Sequence, residues 1–415
     1  DGFRYDAAKE VQAGGESAAD ILRKLPAIIV DGDGLPTIRG SNRVKVFIDG
    51  KPSELYAPSV KDALLQISAA NIGRVYVITS PSAKYDGEGV DAVIQIYTKK
   101  PVQNGISGTL NILVGNRSRQ LTGNVKWRAG RWIISADGGN NFSSNPTQGN
   151  VMRFTKNTGS NILRQQINTK KQNRFNPAGF SILFNVDSLS WLSMGYRRSV
   201  RREDGSGSIV SSIFQNDTLT SVITRNTDSY VDRKVDILSA SYQRSSKDKT
   251  LEWNLLVSHF ILKSEDGYKL DQMQGLVKTY DEKNTNKAVN HESLLQWDLS
   301  KKFAGVEMGT GIKAVQRNYT NESQFIPDLM RSGDFYFKRG VVAGYVNISL
   351  PVGKWKLRAG ARYEQTNLSI SFKNLGVPVP VYKNLLPNLL ISQSFAQSHS
   401  LSFSYSKKLQ RPDMS

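Results

Sequence analysis

The side chains best suited to chemistry are few and scattered. Three histidines occur, His259, His291 and His399, and no His-x-x-His or His-Glu-x-x-His spacing would bring two of them to one metal. His259 alternates with Leu255 and Val257, which predicts an interface histidine and not a ligand. The adjacent carboxylates Glu203-Asp204 and Asp281-Glu282 fall in polar stretches, where hydration is the default. Asp31-x-Asp33 begins like a calcium loop but lacks the later ligands and the terminal Glu. Gly87-x-Gly89 follows no strand-to-helix fingerprint and reads as a turn. No Gly-x-Ser-x-Gly elbow or phosphate loop appears. Cysteine is absent, which excludes disulfides and thiolate ligands. The expectation is a protein without catalysis, metal or cofactor.

What remains is a set of bases at regular spacing. Lys354, Lys356, Arg358 and Arg362 alternate with Trp355, Leu357, Ala359, Ala361 and Tyr363; Lys126 and Arg128 alternate with Val125 and Trp127. Such alternation gives a sheet with one apolar and one polar face, and it recurs over Gly105–Val114 and Leu401–Ser406. Many of these segments read at roughly 10–15 residues, against about 5–6 in globular sheets. About 9–11 tilted residues cross a bilayer. All six tryptophans (Trp127, Trp132, Trp191, Trp253, Trp297, Trp355) lie within a few residues of a short turn, as expected of one aromatic girdle at the hydrocarbon boundary. The connections are expected to alternate between short turns of about 2–5 residues and polar loops of roughly 15–35. A soluble sandwich would alternate too, but strand and loop lengths favour a transmembrane barrel.

Composition agrees. No apolar run reaches the 18 or so residues of a spanning helix, and the mean hydropathy of −0.40 suits strands with one wet face. Of 55 basic and 36 acidic residues, 13 of each lie in residues 1–101, so the remaining 42 and 23 carry the whole net charge of +19. No basic helix or base-stacking module accompanies that charge, which argues against nucleic acid. Phosphorylated outer-leaflet lipid, an anionic solute in the lumen, or plain hydration of wet surfaces are its alternative uses.

Residues 1–101 read as a different kind of domain. Ser17 caps a short helix that Pro26 ends, and Ile28–Val30 is a strand running into the turn Asp31–Gly34. Arg43–Ile48 is a strand closed by Asp49-Gly50-Lys51-Pro52. Ser59–Ile67 is a second helix, Ile72–Thr79 a buried strand, and Val93–Thr98 a last strand before Lys99-Lys100-Pro101. This length suffices for a small α/β core.

Thr37–Pro52 (TIRGSNRVKVFIDGKP) and Ile72–Lys100 (IGRVYVITSPSAKYDGEGVDAVIQIYTKK) resemble the plug domain of TonB-dependent outer-membrane receptors. The order Arg-Gly, Val-x-Ile-Asp-Gly, Val-x-Val-Ile-x-x-Pro-Ser-Ala-x-Tyr and Val-Ile-x-Ile-x-x-Lys-Lys carries the resemblance. It is nearest to the plug-plus-barrel proteins of Bacteroidetes-type bacteria, whose barrel strands Ser404–Pro412 also resembles. Tyr76 and Gln95 depart from the Glu and Asn frequent in such plugs, and no TonB-box-like segment is recognised before Ser17.

The resemblance implies a small α/β plug domain (1–101) followed by a transmembrane antiparallel β-barrel (105–415). At about thirteen strands the barrel is incomplete in this chain, since bacterial barrels have even numbers and holding a plug takes on the order of 22; further residues or another chain are expected to complete the wall. It further implies ligand-gated import of a scarce solute (siderophore, vitamin, glycan or peptide) across a Gram-negative outer membrane, coupled to the TonB complex of the inner membrane. Outer-membrane lipid and a small-molecule or glycan ligand are the other expected partners. Candidate ligand contacts are the plug loops Ile38–Asn42 and Ser53–Ser59, with Arg39, Ser41, Asn42 and Tyr56, and the lumen-facing Lys126, Arg128, Lys356 and Arg358, whose alternative task is bracing the plug. A non-energised barrel serving as scaffold, adhesin or secretion-complex component is the rival role.

Overall fold

The computed structural model describes residues 2–6, 16–26, 28–31, 35–38, 40–53, 60–79, 81–82, 84–85, 90–99, 104–157, 159–373, 375–395 and 399–409. The first module runs β1 (Gly2–Tyr5), α1 (Ala18–Arg23), β2 (Ile28–Val30), β3 (Pro36–Ile38), β4 (Val44–Ile48), β5 (Lys51–Pro52), α2 (Val60–Gln66), β6 (Ile72–Ile78) and β7 (Ala92–Thr98). Ser17 and Asp20 start α1 as a capping box: the Ser17 N–H and hydroxyl both donate to Asp20 Oδ2, at 2.9 and 2.8 Å, satisfying donors that the first helical turn leaves open. The main sheet has the order β1-β6-β7-β4-β5, with β4 and β7 parallel. Alternate residues of β4 and β6 (Val46, Ile48, Val75, Val77) meet Ile21, Leu22 and Leu64 in one buried core. Each such aliphatic side chain contributes about 1.5–3 kcal/mol. β1, an edge strand on β6, had no counterpart in the sequence pattern.

The second module is all strand: β8 (Gly105–Val114), β9 (Ser118–Ala129), β10 (Trp132–Asn157), β11 (Gly159–Asn185), β12 (Ser190–Gln215), β13 (Thr218–Ser245) and β14 (Leu251–Gln274). It continues with β15 (Val277–Phe303), β16 (Val306–Ile326), β17 (Gly333–Val352), β18 (Trp355–Phe372), β19 (Leu375–Val377), β20 (Tyr382–Phe395) and β21 (His399–Ser406). Thirteen strands lie side by side in chain order, all antiparallel, and β19 hangs off β18. Among the described residues the result is a partial barrel of 14 strands, close to the thirteen expected.

Register sorts the two faces. Ile106, Trp127, Ile134, Ile182, Met194, Ala240, Val257, Leu295, Ala314 and Val342 stand opposite one another on successive strands from β8 to β17. This row is largely exposed and apolar, with Ile106 77 % and Val342 62 % accessible. One residue over, the opposite face reads Lys126, Ser135, Ser181, Gly195, Ser239 and Ser258. A continuous exposed apolar band wrapping a polar face is stable only against hydrocarbon. No helix among the described residues is long and apolar enough to cross a membrane; the strands cross it.

Two expectations need correction. The long polar loops are paired strand: β10 to β15 run to 24–28 residues and end in tight turns such as Asn216-Asp217 (φ 47° and 62°) and Gly275-Leu276. Beyond the bilayer both faces of a hairpin are wet, so its sequence loses the alternation by which a strand is read. The tryptophan girdle also has one exception. Trp191 pairs with Gln243 on the lumen side, while its neighbour Leu192 pairs with Tyr242 on the lipid side.

Val257 lies mid-band, and Val257→Arg is expected to destabilise the wall by about 2–4 kcal/mol in equilibrium unfolding from lipid vesicles. Gln243→Arg, on the lumen face beside Glu252, is expected to cost much less.

Candidate functional site

The first module contacts wall strands far apart in sheet order. Lys51 Nζ donates to Ser193 Oγ of β12 at 2.8 Å. Lys84 Nζ lies 3.2 Å from Asp298 of β15, and Lys408, just past β21, lies 2.6 Å from Asp91. A small domain touching β12, β15 and the tail of β21 at once requires the sheet to curl around it. The module therefore sits in the lumen as a plug.

Each contact is prepared by its own side of the interface. Asp298 accepts hydrogen bonds from Gln296 Nε2 at 3.0 Å and from the Tyr345 hydroxyl. Tyr345 reaches it across Gly311, which pairs with both residues; a Cβ at Gly311 would overlap the Tyr345 hydroxyl. A second carboxylate is held the same way. Arg197 of β12 grips Asp137 of β10 with two bonds, at 2.5 and 3.0 Å, across Gly179 of β11, where a Cβ would meet the guanidinium at 2.6 Å. Glycine at these two positions lets a side chain bridge three strands. On the plug, Asp91 collects Ser41 Oγ at 2.6 Å and Arg43 Nε at 2.8 Å besides Lys408.

Burial shapes the ionisation of the plug groups. Burial pushes the Lys51 ammonium below the ordinary lysine value, against the opposing pull of Asp49. Burial, more than any neighbour, pushes the Tyr85 hydroxyl up to about 12. Tyr85 is therefore a neutral partner for Gln95 Nε2, which donates to it at 2.6 Å. Partial burial works to raise the Asp91 carboxyl, but its donors Lys408, Ser41 and Arg43 together outweigh that and leave it lowered.

Water-sized space separates plug and wall. A cavity of about 800 Å³ on the side of the short turns is lined by Arg4, Tyr76, Lys84, Glu252, Lys356 and Arg358. One of about 430 Å³ holds Lys51, Lys126, Asp137, Trp191 and Arg197. A third, of about 340 Å³, lies between β4–β5 and the inner faces of β14–β18. Among the described residues the buried apolar clusters are separate: one lies in the plug, and the other (Val235, Ile237, Leu256, Leu294) in the wall.

The candidates from the sequence thus fall in separate places. Lys126 is in the second cavity, and Lys356 and Arg358 are in the first. Arg128 shares the inner face of β9 with Lys126, opposite Ile133. Ser41 faces Asp91, and the Asn42 carbonyl accepts from Val44 N–H at 2.9 Å. Arg39 and Tyr56 lie outside the described residues. Sequence reasoning missed Lys45, Lys84, Asp91, Asp298 and Arg339, although Lys84 sits inside the Pro-Ser-Ala-x-Tyr signature. His259 is on the outer face, its Nδ1 2.9 Å from Ser293 Oγ. Among the described residues no three His, Asp or Glu are placed to hold a metal ion.

A plug anchored by polar contacts inside a strand wall with an apolar exterior defines a plugged outer-membrane barrel. Comparison identifies the parts: residues 6–93 match the TonB-dependent Receptor Plug Domain family and residues 242–415 the Outer membrane protein beta-barrel family. The chain is a plug domain of the TonB-dependent receptor type joined to a β-barrel of the outer-membrane protein family, and it resides in a Gram-negative outer membrane. Among solved structures, the ferripyoverdine receptor of Pseudomonas aeruginosa is 14 % identical with a TM-score of 0.55, the match covering 94 % of this chain and 54 % of that one. This chain therefore spans about half the length of that receptor. The ferric yersiniabactin uptake receptor FyuA from Yersinia pestis is 10 % identical with a TM-score of 0.41, covering 98 % and 79 %. The likeness to the ferripyoverdine receptor is one of fold. A search of curated proteins gives no match.

Two outcomes follow. Gly311→Val should displace Tyr345 from Asp298 and cost about 1–3 kcal/mol by overpacking, whereas Gly344→Ala, with nothing within 4 Å, should be tolerated; equilibrium unfolding measures both. The lowered Asp91 carboxyl favours the docked state fully above the ordinary carboxylate value, and this contribution is lost as pH falls below about 4. A fluorophore pair on the plug and the β21 tail should separate below that pH, and Asp91→Asn should abolish the transition.

Proposed function

We propose that the protein is a gated importer, with residues 1–101 as the gate and 105–415 as wall. A scarce solute (siderophore, vitamin, glycan or peptide) enters from the end bearing the long hairpins. The plug bars it until the TonB complex of the inner membrane moves the plug. The observation that carries this reading is the interface, which among the described residues holds ion pairs, hydrogen bonds and wet cavities, while the apolar clusters of plug and wall are separate. Polar contacts of this kind can exchange for water one by one, whereas apolar burial would be the main brake on such motion. Ligand contacts at the loops around Arg39, Ser41, Asn42 and Tyr56, and at Lys126, Arg128, Lys356 and Arg358, belong to the same reading.

The test is uptake by cells that depend on this protein for one scarce solute. Growth should stop when the inner membrane is de-energised. It should also stop when Lys84→Cys and Asp298→Cys are joined by a short bis-methanethiosulfonate linker that ties plug to wall across their salt-bridge gap, and a reductant, which cleaves the linker's disulfides, should restore it. Uptake that ignores both treatments would overturn the reading and favour a non-energised scaffold or adhesin.

A further inference from the structure

Bases gather on the lipid side of the wall where its apolar band ends. We infer that the outer face of β11–β14 binds a phosphorylated glycolipid of the outer leaflet, with its phosphates held by Arg174, Arg202, Lys234 and Lys263. The inference rests on the outer-membrane location of the wall and not on the importer reading.

Two aromatic pairs mark the turn-side edge of that face, Trp132 with Phe184 and Tyr242 with Trp253. From Phe184 the outer face of β11 passes Ile182, Phe180, Ala178 and Asn176 to reach Arg174. From Trp253 the outer face of β14 passes Leu255, Val257, His259 and Ile261 to reach Lys263. Each run is about ten residues, roughly 25 Å of height at a barrel's strand tilt, which is the height of the apolar band. Register brings Arg202 opposite Arg174 and Lys234 opposite Lys263. The long hairpins mark the extracellular side. Four exposed bases on four consecutive strands therefore stand at the headgroup level of the outer leaflet.

Pairing distinguishes these bases from the charges inside the band. There, Arg198 lies 3.5 Å from Asp236, which also accepts from the Tyr196 hydroxyl at 2.5 Å, so the charges neutralise each other among the acyl chains. At the band's edge, the side chains of Arg174, Lys234 and Lys263 make no ion pair among the described residues. Arg202 leans on Asp204, at 3.3 Å. Asp204, Asp232 and Glu265 all stand one outward-facing step beyond the bases. The order along the strands is thus apolar surface, bases, then carboxylates. It suits an amphiphile whose phosphates sit at the hydrocarbon edge and whose sugar hydroxyls, donors to carboxylates, lie beyond. Arg174 with Arg202 and Lys234 with Lys263 are like charges directly opposite, an arrangement that destabilises a sheet. A phosphate at each pair removes the repulsion and takes charge-assisted hydrogen bonds. The pairs lie two strand spacings apart and one outward step out of line, because Lys234 is opposite Val200; their midpoints are about 12 Å apart. Two linked sugars phosphorylated at their far ends bridge that span, and a phospholipid with one phosphate does not.

The test titrates the full chain in neutral detergent with diphosphoryl lipid A, its dephosphorylated form and phosphatidylglycerol, counting bound lipid by native mass spectrometry. Diphosphoryl lipid A should bind about tenfold or more tighter than either of the others. Lys234→Gln and Lys263→Gln should each weaken it about fivefold, and Lys263→Arg should keep most of the binding. Lys301→Gln, which removes a base from the turn side of the outer face, should leave binding unchanged. Arg174→Gln, in the other pair, supplies the same test if a lysine variant fails to fold. Equal binding of the phosphorylated and dephosphorylated lipids would overturn the proposal. So would phosphatidylglycerol binding as tightly as lipid A, undiminished binding in the folded variants, or an equal loss in Lys301→Gln. Lipid A binding by a protein that fails the uptake test would sink the importer reading and leave this one standing.

Discussion

Backbone hydrogen bonding in hydrocarbon is the constraint on which the other features depend. Each unpaired N–H or C=O there costs several kcal/mol, so a chain with no spanning helix can cross only as laterally paired strands. Pairing fixes register, and register decides that Val257 and Leu295 meet lipid while Ser258 and Leu294 face inward. The curl that pairs each strand with the next also creates the lumen, and only a curled wall lets one small domain touch Ser193, Asp298 and Lys408 together.

Within that lumen, rigidity and release are divided between different interactions. The plug keeps its own core of Ile21, Leu22, Val46, Leu64, Val75 and Ile94. The wall stiffens its inner face with three-strand bridges, Tyr345 over Gly311 and Arg197 over Gly179. Between plug and wall lie solvated contacts that are individually weak. On the importer reading proposed above, such contacts resist drift and give way to a directed pull.

Much of this was legible in the sequence where chemistry on the two sides of an element differs. Val44–Ile48 and Ala92–Thr98 announce themselves as buried strands, Ser17 with Asp20 as a helix start, and Trp355–Tyr363 as a strand between lipid and water. Legibility fails where both sides are alike. Around Arg202-Glu203-Asp204 and Asn284-Thr285-Asn286 both faces carry polar side chains, so strands that continue in register looked like loops. Trp191 looked like its five fellows because residue type does not encode a one-residue offset, and register alone turns it inward. The plug–wall partners were the least legible. Lys84 and Asp298 are 214 positions apart in the chain, and only the folded wall brings them within 3.2 Å.

The central claim, that register alone decides which side of the wall meets acyl chains, is tested most directly by fluorescence quenching in brominated-lipid vesicles. Two variants of the full chain would each retain one tryptophan, Trp297 or Trp191, with the others replaced by phenylalanine. Trp297, on the outer row of β15 beside Ile312, should be strongly quenched, and Trp191, in the lumen beside Lys51, should not respond. Equal quenching of the two, or quenching of Trp191 alone, would contradict the account.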